Sequence, residues 1–190
     1  SAIGNNAQEN YDSLISGKAG ISKITHIDTI HANDIMVGEI KTTNAVFEEQ
    51  LELSENSYSR SPILGIIAAK EALAQAGITN INNYKTGLIS STTVGGMDKS
   101  EQYFYEYFES DAHWQHINGL HAGDSTQKIA DAIGLKESFV TTISTACSSA
   151  ANAIMLGARM IKSGRLDRVV VGGTDALSKF TINGFKTLMI

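Results

Sequence analysis

The alternation of short apolar segments with helical patterns constrains the fold of this chain more than any other feature. The strand patterns cover residues 86–92, 138–144 and 168–172. The helical patterns before and between them cover residues 61–77, 98–110, 123–133 and 147–162. Strands that alternate with helices form a mostly parallel sheet covered by helices, with right-handed crossovers. The sequence therefore predicts a layered α/β fold.

The first part of the chain gives weaker signals. Residues 5–17 have the spacing of a short amphipathic helix, and residues 18–58 are polar and irregular apart from a short strand predicted at 35–40. The helix that follows has Ser61 as its predicted N-cap and Pro62 at its first position, where proline needs no N–H. The sheet is therefore expected to lie after this helix.

Composition excludes several classes of protein. The 190 residues include one cysteine, carry a formal net charge of −5 and are 18% charged. One cysteine cannot form an internal disulfide, which excludes a disulfide-stapled secreted scaffold. The acidic balance argues against a nucleic-acid-binding surface, and no run of about 18 apolar residues indicates a membrane span. We expect a soluble protein of the reducing cytoplasm.

The segment 141–154 carries the chemistry of this sequence. A buried strand ends there, three small residues form a tight turn, and Cys147 opens a helix rich in alanine, glycine and methionine, which predicts burial on nearly all sides. A helix N-terminus favours a thiolate, and its free N–H groups can stabilise an oxyanion. Cys147 is therefore a candidate nucleophile toward a thioester, although a lone cysteine in such a segment is more often a small buried apolar residue.

The residues around Cys147 resemble the active-site block of the β-ketoacyl-acyl carrier protein synthases, which are thiolase-like condensing enzymes. The resemblance rests on the run from Thr145 to Ile154, on residues 157–158 and on residues 170–176. Earlier parts of the chain resemble the helices, strand and glycine turn that precede this block in the family, namely residues 3–21, 59–78 and 87–97. The resemblance thus covers essentially the whole chain.

The resemblance implies a reaction. Cys147 would accept an acyl group from a carrier-protein thioester, and its backbone N–H would contribute to the oxyanion hole. A malonyl-carrier thioester would then lose CO2, and its carbanion would attack the acyl group to give a 3-oxoacyl thioester two carbons longer. The family uses no metal or organic cofactor, and the resemblance implies a homodimer, or a heterodimer, with acyl carrier protein as its partner.

The family also has parts that this chain lacks. Two catalytic histidines, a lysine and a glycine-rich phenylalanine loop lie in a second half, and a first strand precedes the position of Ser1. The resemblance therefore implies that residues 1–190 are the N-terminal half of a thiolase-like αβαβα fold, cut at both ends and inactive alone. Its glycine turn, usually Gly-x-Gly-x-Gly-Gly, reads Ser-Thr-Thr-Val-Gly-Gly at residues 91–96.

Four further residues are candidates for substrate or partner binding. Met97 and Ser100 lie where the resemblance places the acyl pocket, and the small Ser100 would leave room for a long or stiff chain. They adjoin an aromatic-rich stretch at 103–114 that is predicted to pack rather than to stack on bases. Arg60 and Lys128 are candidate contacts for an acidic carrier protein, which an acidic enzyme must attract through a local basic patch.

Three histidines invite a metal interpretation. His113, His116 and His121 have a spacing that metal sites also use. No second cysteine completes a tetrahedral set, and the nearby carboxylates are limited to Asp111 and Asp124. We therefore predict no metal site.

Two other functions stay open beside the synthase. One is a non-catalytic subunit that sets chain length in a heterodimer, and the other is a thiolase or related acyltransferase. Cys147 favours the enzyme because such subunits usually lack the nucleophile, and the run from Thr145 to Ser149 favours the carrier-protein type. Chain length, saturation and pathway stay undetermined by the sequence.

Overall fold

The computed structural model describes residues 1–54, 58–136 and 138–189, which form two compact units. The first unit combines Ser1–Asn56 with Leu177–Ile190, and the second is Ser57–Ala176. The helices are α1 (Ala7–Ile15), α2 (Asn44–Gln50), α3 (Arg60–Gln75), α4 (Met97–Gln102), α5 (Ala122–Ala132), α6 (Ser149–Lys162) and α7 (Lys179–Thr187). The strands are β1 (Ser22–Lys23), β2 (Met36–Val37), β3 (Thr86–Ser91), β4 (Val140–Ile143) and β5 (Arg168–Val171). Short 3-10 helices cover Ile81–Asn83, Glu106–Phe108 and Trp114–Leu120.

The second unit is built on a parallel sheet with the strand order β4-β3-β5. Leu88 on the central strand pairs with Val140 on one side and Val170 on the other. Every residue of β3 is buried, as expected for a strand covered on both faces. The connections β3–β4 and β4–β5 run in opposite directions across the sheet, so right-handed crossovers place α5 and α6 on opposite faces. This confirms the predicted α/β class.

Apolar side chains of the helices fill the layers beside this sheet. Helix α3 packs on α5, and α6 packs on all three strands. The buried apolar residues of these elements are Ile63, Ile66, Ala69, Leu88, Ile89, Ile129, Ala130, Ala153 and Met160. Helix α6 lies close to β5 at Gly157, where an added Cβ would lie 2.7 Å from Val171 Cγ1 and 3.0 Å from Val169 Cγ1. Glycine therefore sets how near the helix lies to the sheet.

In the first unit, the short strands β1 and β2 pair antiparallel. Ile24, Val37 and Ile182 form its buried apolar cluster. Glu39, which is 4% exposed, follows β2 and accepts hydrogen bonds from the Thr25 side chain and from the backbone N–H groups of Thr25 and His26. Lys41 Nζ lies 2.6 Å from Glu39 Oε2. Burial raises the pKa of Glu39, but these hydrogen bonds, led by that of Lys41, outweigh burial and lower the pKa from 4.5 to about 2.

The Glu39 hydrogen bonds predict a pH-dependent contribution to stability. The carboxylate takes up a proton near pH 4.5 when unfolded but near pH 2 when folded, so its contribution is full above pH 4.5 and is lost as the pH falls toward 2. We expect Glu39→Gln to lower the free energy of unfolding at pH 7 by about 2 kcal/mol, the magnitude typical of hydrogen bonds to a charged group. Denaturant unfolding of the full-length protein between pH 2 and 7 measures this.

The matched control for this prediction is Glu49→Gln. Glu49 lies exposed on α2, so its replacement is expected to change stability by less than about 0.5 kcal/mol at any pH. A Glu39→Gln variant whose stability parallels that of Glu49→Gln at pH 7 would refute the prediction.

Helix α3 begins earlier than the sequence predicts. Ser61 is not its N-cap and Pro62 is not its first residue: the helix starts at Arg60 and Ser59 is the N-cap. The Asp98 carboxylate accepts a hydrogen bond from the Arg60 backbone N–H at 2.9 Å, which satisfies the first free donor of the helix. A residue 38 positions away in sequence thus stabilises the first residue of the helix. Pro62 is tolerated as the third helical residue because a backbone N–H at that position would have no intrahelical acceptor.

Other element boundaries also differ from those that the sequence predicts. The helix predicted over 98–110 ends at Gln102, since five of the next six residues are aromatic and such residues form helices weakly. The stretch 18–58, predicted to be irregular, contains α2, and its residues 55–57 lie outside the described residues. Helix α7 forms in the final apolar run. Leu188 and Met189 are 68% and 92% exposed, and Ile190 lies outside the described residues.

Helix α6 is buried along one face in this chain, which corrects the prediction of burial on nearly all sides. Ala153, Gly157 and Met160 face the sheet, whereas Ile154 and Met155 are 58% and 45% exposed. This second face is apolar, as the sequence indicates, but none of the described residues covers it. None of the helices in the described ranges has the length and apolarity that crossing a bilayer requires.

Candidate active site

Three loops meet where the parallel strands of the second unit end. The loops follow Ser91 of β3, Ile143 of β4 and Val171 of β5, at the sheet edge where α/β proteins bind ligands. The Thr92 N–H donates to the Ile143 carbonyl at 3.4 Å, and the Thr174 N–H donates to the Ser91 carbonyl at 3.0 Å. The loop after β4 carries Cys147, so the cysteine lies at the edge that the fold offers for a site.

Cys147 is an exposed free thiol between β4 and α6. The helix starts at Ser149 with Ser148 as its N-cap, so Cys147 precedes the N-cap rather than opening the helix. Among the described residues, Cys147 is therefore not buried, unlike the small apolar residue that such a segment more often contains. The thiol is therefore presented beside the positive end of the helix dipole, accessible to a substrate.

The residue before the cysteine is strained. Ala146 has a φ of 52°, in the left-handed region that alanine rarely adopts. Such a conformation costs about 1–2 kcal/mol for a residue with a Cβ, and it persists only where surrounding contacts fix it. The sharp turn at Ala146 allows the chain to leave a strand and enter a helix while Cys147 stays exposed.

Side chains of the turn and of the first helical residues bond to each other. Ser149 Oγ accepts from the Thr145 N–H and donates to the Ala146 carbonyl, each at 2.7 Å. Ser148 Oγ donates to the Thr145 carbonyl at 2.8 Å, and Asn152 Nδ2 donates to Thr145 Oγ1 at 2.9 Å. These contacts stabilise the loop that presents the cysteine.

The threonines of the turn after β3 have partners in the loop after β5. Thr92 Oγ1 donates to Asp175 Oδ1 at 2.6 Å and accepts from the Gly95 N–H at 3.1 Å, while the Thr93 N–H donates to the same carboxylate oxygen at 2.8 Å. Asp175 thus joins two loops of the site edge. The sequence reasoning missed Asp175, although an acidic residue after a buried strand and a glycine pair was a usable signal.

The candidate acyl-pocket residues lie on α4, which follows this turn. Met97 is the first residue of α4 and is partly exposed, and Ser100 is 6% exposed. Asp98 lies between them in the sequence. Burial raises the pKa of its carboxyl group, and the hydrogen bond from the Arg60 N–H and the charge of Lys99 oppose this rise. The sequence reasoning also missed Asp98, whose contact with Arg60 depends on tertiary structure.

The two candidate cations lie on neighbouring elements. Arg60 begins α3, and Lys128 lies on α5, the helix that packs on α3. Lys128 Nζ is 2.8 Å from Asp124 Oδ2 and 5.0 Å from the centroid of the Tyr58 ring. The Lys128 charge is therefore partly neutralised within the chain.

The three histidines have other roles than a shared site. His113 stacks on Tyr103 at 3.9 Å between centroids and lies 2.9 Å from Glu106, and the His121 ring caps the start of α5. Burial lowers the pKa of His116, as do the charges of Lys99, His113 and Lys128. Within residues 1–54, 58–136 and 138–189, no three His, Cys, Asp or Glu side chains are grouped for a metal ion.

The aromatic stretch is less buried than packing alone predicts. Phe104, Tyr105, Phe108 and Trp114 are each more than half exposed in this chain. Phe104 makes edge contacts with Tyr105 and Phe108, at centroid distances of 5.4 and 5.5 Å. The stretch is therefore a small aromatic cluster at the surface of the described residues.

Comparison with protein families gives a match over the full chain. The family model of the beta-ketoacyl synthase N-terminal domain matches residues 1–190. Among curated proteins, 3-oxoacyl-[acyl-carrier-protein] synthase 2 of Staphylococcus aureus is 27% identical, with 97% of this chain and 46% of that protein covered. The tetracenomycin polyketide synthase ketoacyl synthase alpha subunit of Streptomyces glaucescens is 26% identical, with 94% and 44% covered. The chain thus spans about half the length of these relatives.

Solved structures show the same fold. The ishigamide ketosynthase/chain length factor superposes with a TM-score of 0.85 at 21% identity, covering 99% of this chain and 48% of that chain. A beta-ketoacyl synthase from Burkholderia phymatum superposes with a TM-score of 0.75 at 19% identity, covering 98% and 47%. These likenesses confirm the predicted thiolase-like fold.

Proposed function

Because this chain belongs to the beta-ketoacyl synthase family, we propose that it carries the acyl-accepting cysteine of a 3-oxoacyl-acyl carrier protein synthase. The observation that carries the proposal is the exposed Cys147 thiol, set beyond a strained turn at the carboxyl edge of a parallel sheet. An exposed cysteine in that position has the access and the local field that a nucleophile needs.

The reaction proceeds in two covalent stages. The Cys147 thiolate attacks the carbonyl carbon of an acyl-carrier thioester, the carrier thiolate leaves, and an acyl-Cys147 thioester forms. A malonyl-carrier thioester then loses CO2, its carbanion attacks the acyl carbonyl, and the Cys147 thiolate leaves as the 3-oxoacyl-carrier product forms. The Cys147 backbone N–H stabilises the oxyanion of each tetrahedral intermediate.

The remaining half of the full-length protein completes the site in this proposal. The chain spans 46% of the length of the synthase from Staphylococcus aureus. The apolar face of α6 that carries Ile154 and Met155 is exposed here, and it is the surface that this second half covers. The histidines and lysine of the decarboxylation step belong to that half, and neither stage requires a metal or an organic cofactor.

Mapping of covalent adducts tests the proposal. The full-length protein is incubated with hexanoyl-acyl carrier protein, digested and analysed by mass spectrometry. We expect a hexanoyl group on the peptide that contains Cys147 and none in a Cys147→Ser variant. A wild-type protein that stays unmodified, under conditions that acylate a known synthase, would overturn the proposal.

A second candidate is a subunit of a heterodimeric synthase. It is favoured by the likeness to the ishigamide ketosynthase/chain length factor, whose name pairs two subunit types. The presence of Cys147 assigns this chain to the catalytic partner in that case. Co-expression and size measurement of the full-length protein, alone and with candidate partners, distinguish it from a homodimer.

Ser100 is proposed to line the acyl pocket, where its small side chain leaves room for a long chain. A phenylalanine there would occupy the path of the chain, so we expect Ser100→Phe to raise the preference for hexanoyl over hexadecanoyl donors about tenfold in kcat/KM. Gln102→Phe on the exposed side of α4 is the matched control and should leave the preference unchanged. An unaltered preference in Ser100→Phe, with the fold intact, would exclude this role.

Arg60 is proposed to contact the acidic carrier protein, with Lys128 in a lesser role. Reversing the charge in Arg60→Glu should raise the KM for the acyl-carrier donor several-fold at low salt, because it weakens electrostatic attraction. Alkylation of Cys147 by iodoacetamide should not change. Lys70→Glu, an exposed charge reversal on the same helix, is the control. Equal KM changes in both variants would contradict a specific contact.

A further inference from the structure

The turn before Cys147 depends on a side chain that takes no part in the proposed bond-making steps. Ser149 is the first residue of α6 and is only 4% exposed. Its hydroxyl accepts from the Thr145 N–H and donates to the Ala146 carbonyl, both at 2.7 Å. The Ser149 backbone N–H also donates to the Ala146 carbonyl at 3.0 Å. The carbonyl of the strained residue therefore has two donors from Ser149.

The Ala146 carbonyl shares its peptide plane with the Cys147 N–H. In a trans peptide the C=O and N–H groups point in opposite directions, and the described backbone contains no cis peptide bond. Two hydrogen bonds that direct the carbonyl toward the start of α6 therefore direct the Cys147 N–H away from it. That N–H is the group that the proposed mechanism assigns to the oxyanion.

We propose that Ser149 is a positioning residue that orients the Cys147 N–H as an oxyanion donor by anchoring the Ala146–Cys147 peptide. This inference rests on the proposed function of Cys147. A hydroxyl is suited to the role because it has one proton for the Ala146 carbonyl and a lone pair for the Thr145 N–H. Alanine at this position provides neither group and keeps only the backbone N–H bond to the Ala146 carbonyl, so Ala146 can relax from its positive φ.

Neighbouring contacts define what Ser149 adds. Ser148 and Asn152 bond to Thr145 through their side chains. The Ser149 hydroxyl instead bonds on both sides of the Ala146 φ and ψ angles. It accepts from the N–H of Thr145 and donates to the carbonyl of Ala146. Loss of Ser149 is thus expected to change the orientation of the peptide and to leave the rest of the loop in place.

Two reactions of the same cysteine separate this role from a merely structural one. Acyl transfer from hexanoyl-acyl carrier protein passes through an oxyanion, whereas alkylation by iodoacetamide does not. In the full-length protein, we expect Ser149→Ala to lower the saturating rate of Cys147 acylation about tenfold to hundredfold. This decrease does not exceed the decrease that follows when a whole oxyanion donor is removed. The half-saturating donor concentration should stay within about twofold, and the alkylation rate within about threefold, since neither depends on the oxyanion.

Variants with matched burial complete the test. Ser149→Thr keeps the hydroxyl and should restore most of the acylation rate. Ser125→Ala should have no effect, because it removes an equally buried serine hydroxyl that has no hydrogen-bond partner among the described residues. If Ser149→Ala does not fold, the comparison is made in an Ala146→Gly background, because glycine accepts a positive φ without strain. The same selective loss of acylation is expected there.

The outcomes distinguish this inference from the proposed function. Parallel losses of acylation and alkylation, or an acylation rate within twofold of the wild type, would overturn the role of Ser149 while acylated Cys147 still supports the synthase. A wild-type protein that is alkylated but never acylated at Cys147 would overturn the proposed function itself.

Discussion

Replacing Cys147 with alanine is expected to abolish condensation, with a loss of more than about 10³-fold in the rate of 3-oxoacyl formation. The acyl group must leave its carrier before the second carrier thioester reacts, and alanine has no atom that can accept it. Because Cys147 is exposed, the free energy of unfolding should change by less than about 0.5 kcal/mol. The measurements are product formation from hexanoyl and malonyl carriers and denaturant unfolding of the full-length protein.

The control for this loss is Ser163→Ala. Ser163 is an exposed residue that caps the other end of α6, and its hydroxyl bonds to the Met160 carbonyl at 3.1 Å. We expect its activity to match the wild type. A Cys147→Ala protein that keeps a tenth of the wild-type rate would show that another group accepts the acyl chain.

The sheet could be predicted from the sequence because its strands are encoded locally. Each is a short apolar run bounded by glycine or by small polar residues, and the predicted segments differ from β3, β4 and β5 by at most two residues at either end. Cys147 was identified in the same way, because a strand, a turn of small residues and an alanine-rich helix follow each other directly in the chain.

The parts that were missed depend on residues far apart in sequence. The true start of α3 follows from the Asp98 carboxylate bonding to the Arg60 N–H, and the link between the site loops follows from Asp175 bonding to Thr92 and Thr93. No local pattern encodes such contacts. The positive φ of Ala146 was also unpredictable, since alanine has no preference for that conformation and contacts with the next helix impose it.

The exposure of one face of α6 could not be predicted from the sequence for a different reason. The composition of the helix predicts burial on nearly all sides, yet only the face with Ala153, Gly157 and Met160 is buried by the described residues. A sequence pattern indicates that a side chain is apolar enough to be buried, but it does not indicate which part of the protein packs against it. The buried face can nevertheless be tested by substitution at Gly157, where an added Cβ has no space.

Substituting leucine for Gly157 is expected to destabilise the protein by about 1–3 kcal/mol, the range for overpacking a closely packed contact. Even a Cβ would lie 2.7 Å from Val171 Cγ1, so α6 must shift from β5 and move the Cys147 turn with it, which should slow acylation.

Helix propensity acts in the opposite sense, because leucine is favoured over glycine by roughly 1 kcal/mol. In the matched variant Gly184→Leu, on α7, a Cβ meets no atom of the described residues within 4 Å, so helix propensity should dominate and stability should rise. Denaturant unfolding of both variants measures the difference, and a Gly157→Leu protein as stable as Gly184→Leu would refute close packing of α6 on the sheet.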